Sequence, residues 1–106
     1  MASNSSARTG AGFKGKQPLF PLGTVAATPG AMALLQSDIE LAAMLITRHQ
    51  HGDWGDVDSE DWGTNNSAIK MGSRIVSSYT LLGAGSLWII TEADRATTTL
   101  LLPSEY

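Results

Sequence analysis

Hydrophobic and polar positions recur with one period in the first half of the chain and another in the second. "LGTVAAT", Leu22 to Thr28, is a short apolar run of strand length. Thr28 then stands as N-cap with Pro29 at the first helical position, opening a short helix through "AMALLQ". "SDIE" has the form of a capping box, Ser37 as N-cap and Glu40 reaching back to it, in front of "LAAMLITRHQ". On that segment Ile39, Ala42, Ala43, Ile46 and His49 fall on one helical face, widened by Leu41, Met44 and Leu45, so the helix is expected to be mostly buried, with Gly52 ending it. A third helix start is "DSED", capped by Asp58 or Ser59 and running through "WGTNNSAIKMG" to Gly72. Gly63 and the Asn pair are poor helix formers, so packing of Trp62, Ala68 and Ile69 must hold this helix.

From Ser73 the residues become β-branched and aromatic: "SRIVSSYTLL", "SLWIITEA" and "ATTTLLLP", separated by Gly83-Ala84-Gly85 and by a tight turn at Ala93-Asp94-Arg95. This predicts an α+β fold: a three-stranded antiparallel C-terminal meander packed against two or three helices, with an N-terminal strand available to join it. Ile39, Ile46, Ile69, Val76, Trp88 and Ile90 are the expected shared core, with Trp62 beside them. Residues 1–17 are Ser-, Gly- and Ala-rich and read as a disordered arm; 18–106 reads as a single α+β domain.

Composition narrows the function classes. The chain has 106 residues, enough for one core without a metal or disulfide, and the lack of cysteine removes thiol nucleophiles and Cys zinc sites. No apolar run spans a membrane and no signal-peptide segment is visible, which makes a cytoplasmic location the expectation. The net charge of -3 is unevenly spread: Arg8, Lys14 and Lys16 are the only charges before Asp38, whereas Asp53, Asp56, Asp58, Glu60 and Asp61 follow one another without a base. Nucleic-acid binding is disfavoured, because a basic face normally supplies much of its affinity.

The acidic stretch "RHQHGDWGDVDSEDW" is the candidate site. His49, His51, Asp53, Asp56 and Asp58 offer nitrogen and oxygen ligands for zinc, manganese or nickel, although no established ligand spacing is present. A calcium loop is excluded, since no start at Asp53, Asp56 or Asp58 supplies both the required Gly and Glu. Trp54 is either a lid folded onto the core or an exposed anchor for a partner. Glu92 and Asp94, a carboxylate pair beside Arg95 on the second hairpin, read as a turn with a surface ion pair. The two histidines are expected to differ: burial on the helical face disfavours a charged His49, whereas Asp53 beside His51 favours a charged ring there. Neither a GxSxG elbow nor a phosphate loop occurs, and no cofactor is expected.

Three segments, "GTVAATPGA", "HGDWGDVDSEDWGTNNSAIKMGSRIVSSY" and "LWIITEADRATTTLLLPSEY", resemble a family of small bacterial proteins carried on plasmids and integrative elements, sometimes labelled a type I restriction subunit. The chain has neither room for a methyltransferase domain nor a glycine-rich cofactor loop, so the resemblance implies a mobile-element context and no catalytic residue. The leading expectation is a non-enzymatic protein-interaction module whose binding residues are His51, Asp53, Trp54, Asp56, Asp58, Glu92 and Arg95. Its partner would be a protein encoded by the host or the element, or a second copy of the chain. The alternative is a small metal-dependent hydrolase or nuclease built on the His/Asp cluster.

Overall fold

The computed structural model describes residues 17–106, so all of the expected arm except Gln17 lies outside the described residues. The elements run β1 (Thr24–Ala27), α1 (Pro29–Leu34), α2 (Ile39–Gln50), α3 (Ser59–Met71), β2 (Ile75–Leu81), β3 (Gly85–Thr91) and β4 (Thr97–Leu101), followed by a 3-10 turn at Pro103–Glu105. The fold is α+β. β2, β3 and β4 form the antiparallel meander, and β1 adds parallel to β4, giving a mixed sheet of order β1-β4-β3-β2.

Local chemistry sets the helix ends. Thr28 caps α1 by accepting from the Ala31 N–H, with Pro29 in the first turn. α3 is capped by Asp58, whose carboxylate accepts from the Asp61 N–H, and it stops at Gly72 in a left-handed conformation. The expected Ser37 cap is corrected to Asp38, whose carboxylate accepts from the Leu41 N–H at 3.0 Å. Gln36 and Ser37 both have positive φ, 54° and 57°, because they turn the chain from α1 into α2 and so move the cap one residue on.

Strand alternation separates two faces of the sheet. Ile75, Ser77 and Tyr79 of β2, Leu87 and Ile89 of β3, and Leu100 of β4 are buried on one of them. Ala31 and Leu35 from the α1 region and Leu45 from α2 pack on that face, with Leu41 and Ile46 alongside. A second cluster, Phe20, Trp54, Ala68 and Ile75, joins α3 to the end of β2.

The expected shared core needs correction in three respects. Ile39 is 69% exposed, since it opens α2 on the side away from the sheet. Trp62 lies at the surface, at 36% exposure, because α3 turns Ala68 and Ile69 inward instead. Val76, Trp88 and Ile90 alternate with the core-facing residues and so share the opposite face; Ile90 is buried there and the other two are half-buried. Across that face the chain lays the turn at Pro103–Glu105 and Tyr106, whose ring meets Trp88 edge-on at 5.5 Å. Glu105 secures this turn by accepting from the Thr28 hydroxyl at 2.6 Å and the Leu102 N–H at 2.7 Å, bonds that hold its carboxyl below the usual range.

Candidate functional site

The acidic loop runs along the free edge of β2 and satisfies it almost residue by residue. The Ser78 N–H donates to the Trp54 carbonyl at 3.1 Å, and the Ser78 carbonyl accepts from the Asp56 N–H at 2.6 Å. Gly55 thereby forms a parallel bridge with Ser78. One step along, the Asp56 carboxylate accepts from the Thr80 N–H at 2.7 Å, a bond that lowers its pKa. One step back, the Asn65 amide occupies the place of a neighbouring backbone: its Nδ2 donates to the Val76 carbonyl at 2.8 Å and its Oδ1 accepts from the Val76 N–H at 3.2 Å. An otherwise open strand edge is thus closed by a loop and one side chain.

Gly55 permits the close approach. Its φ is +79°, and a Cβ there would lie 2.1 Å from the Ser78 carbonyl oxygen and 2.7 Å from the Tyr79 ring. Asp53 anchors the start of the loop. Its two oxygens accept from Arg48 Nε at 2.7 Å and Nη2 at 3.2 Å, an interaction that raises the Arg48 pKa further. Its carbonyl accepts from the Tyr79 hydroxyl at 2.7 Å, and the Arg48 guanidinium lies 4.7 Å from the centre of the Tyr79 ring. Burial is the main cause that raises the pKa of the Tyr79 phenol.

His49 is fully buried at the end of α2 and belongs to a closed polar chain. The Thr98 hydroxyl donates to the Leu22 carbonyl at 2.7 Å, so it accepts from Thr91, 2.7 Å away. Thr91 has then used its proton and accepts from His49 Nε2–H at 2.9 Å, which leaves Nδ1 to accept from the Ser77 hydroxyl at 2.6 Å. The imidazole is therefore the neutral Nε2–H tautomer. Phe20 and Trp54 meet it edge-on at 5.3 and 5.9 Å, and desolvation lowers its pKa to about 3.

The sequence-derived candidates are thus divided among different tasks. Trp54 takes the lid position: it is fully buried, stacked on Phe20, and its indole N–H donates to Asn66 Oδ1 at 2.9 Å, so it presents no exposed anchor. His51 Nδ1 donates to the Thr47 carbonyl at 2.8 Å, and Asp53 pairs with Arg48. With both His49 nitrogens engaged in the core, the proposed ligand set does not assemble, and among the described residues no group of three or more His, Asp or Glu side chains is placed to hold a metal ion. Arg95 forms an ion pair with neither Glu92 nor Asp94, which corrects that reading. Arg95 donates to the Ala68 carbonyl at 2.9 Å and the Ser73 carbonyl at 2.7 Å, capping the end of α3, and its guanidinium lies over Phe20.

Asp56 and Asp58 remain exposed, and they form the rim of a groove of about 780 Å³ on the open sheet face. Asp61 also lines it, Val76, Trp88 and Ile90 of the open sheet face make its floor, and Arg74 and Tyr106 are among its lining residues. Arg74 lies 5.1 Å from the centre of the Tyr106 ring. The sequence pattern does not single out Arg74 or Tyr106, although both fall within the segments that carry the family resemblance. Asn65 did leave a trace, as a poor helix former in mid-helix whose cost is offset by its bonds to Val76. A second cavity, of about 590 Å³, lies between α2 and the end of β2, lined by Leu41, Met44, Leu81 and Leu82. Compared with known protein families, with curated proteins and with solved structures, the chain matches none. No helix among the described residues is long and apolar enough to cross a membrane.

Proposed function

We propose that the chain is a non-enzymatic protein-interaction module, acting in the cytoplasm of a bacterium and carried there on a mobile element, the context its three resembling segments imply. Its contact surface is the groove on the open sheet face. The observation that carries this reading is an aromatic and aliphatic strip that no helix among the described residues covers, half-buried Val76 and Trp88 beside an exposed Tyr106, on a sheet whose other face is filled by helices. The acidic loop contributes Asp56 and Asp58 to the rim, and Asp53 and Trp54 anchor the start of that loop through Arg48 and Asn66.

Half-exposed tryptophan and tyrosine with a polar rim are the residue types that dominate protein contacts energetically. Affinity capture from a bacterial lysate tests the reading, using wild type, Trp88→Ala and, as a control in the other cavity, Leu82→Ser. A specific protein retained by wild type and Leu82→Ser but lost with Trp88→Ala is the expected result. Recovery that is the same for all three variants removes the groove as the contact surface.

A further inference from the structure

The charged side chains that line the groove have different neighbours, the carboxylates no paired cation among the described residues and the guanidinium an aromatic ring, and that difference selects a partner. Arg48–Asp53 is the one ion pair among the described residues, so Asp58 and Asp61 face the groove without a paired cation. The Asp58 carboxylate accepts one N–H, from Asp61, and keeps acceptor capacity on its remaining lone pairs. Arg74, which also lines the groove, is laid along the Tyr106 ring, and it repels a second cation there. The floor, Val76, Trp88 and Ile90, is apolar.

Resting on the interaction reading above, we infer that the groove takes a protein segment with a cationic side chain beside an apolar or aromatic anchor, the cation at Asp58 and Asp61 and the anchor between Trp88 and Tyr106. Charge complementarity fixes the orientation. The reverse placement sets the cation against Arg74 and leaves the carboxylates unpaired. An acidic segment is disfavoured on the rim side for the same reason.

The test uses short Gly/Ser peptides that differ only at their centre, Arg-Leu-Phe or Glu-Leu-Phe, titrated into the isotope-labelled protein. The Trp88 indole N–H resonance reports binding, and the buried Trp54 indole reports an intact fold. Wild type is expected to bind the Arg peptide about fivefold more tightly, the scale of one exposed ion pair. The double variant Asp58→Asn, Asp61→Asn is expected to lose this preference while still binding through the anchor, since Asn also caps a helix. Equal binding of the two peptides to wild type, or a preference that survives in the double variant, overturns the cationic partner and leaves the contact surface standing. A Trp88 resonance moved by neither peptide overturns both.

Discussion

His49 shows what one residue contributes when every polar atom around it is committed. Its neighbours are two hydroxyls and two aromatic rings, and no charged group contacts the ring directly, so nothing nearby compensates an imidazolium. The native state holds the neutral form down to about pH 3, whereas the unfolded chain takes up a proton near the ordinary value of 6.5. Acidification therefore favours unfolding. Stability is present in full above the unfolded value and falls steadily as pH drops below it, by about 2 kcal/mol between pH 7 and pH 5. Asp56 and Glu105, whose pKa values are lowered by the bonds they accept, add their losses only as pH falls below the ordinary carboxylate range. Urea unfolding at pH 7 and pH 5 checks this, and His49→Leu is expected to flatten the slope despite lower stability. Helical periodicity placed His49 on the buried face, so its burial was legible. Its hydroxyl partners were not, because Ser77, Thr91 and Thr98 lie on three strands whose register no local pattern specifies.

Among the elements, α3 and the loop before it work as a unit that closes the β2 edge. The capping chemistry of α3 was readable from "DSED" and Gly72, since a cap needs only residues adjacent in sequence. The edge bonds were not readable, because a loop pairing with a distant strand leaves no periodic trace. Asp56 illustrates the difference: as a carboxylate in an acidic run it suggested a ligand, and in the fold it accepts the Thr80 N–H. Gly55→Ala forces a side chain toward the Ser78 carbonyl and the Tyr79 ring at a positive φ. It is expected to cost at least ~2 kcal/mol and to speed amide exchange at Ser78 and Thr80. Gly63 behaves oppositely. It sits inside α3, where an added Cβ would meet nothing within 4 Å, so Gly63→Ala is expected to raise stability by about 0.5–1 kcal/mol in thermal or urea unfolding.

For the molecule as a whole, the sheet divides the protein into a closed side and an open one. Helices and the Phe20–Trp54 cap fill the closed side, and the residues the sequence made conspicuous are largely used in building it. The meander itself was legible from its β-branched runs and turn residues, and the joining of β1 from its short apolar run. Which face each tryptophan takes depended on tertiary packing, so Trp88 became the floor of an open groove and Trp54 the buried lid. On the proposed interaction reading this open face, rather than the α2 side, meets the partner. Photo-crosslinking in bacterial cells tests it most directly, with a photoreactive phenylalanine analogue placed at position 88 in one variant and at position 82, beside the other cavity, in a second. A discrete covalent adduct with one protein is expected from position 88 and none from position 82; an adduct from position 82 alone, or from neither, overturns the open face as the contact surface.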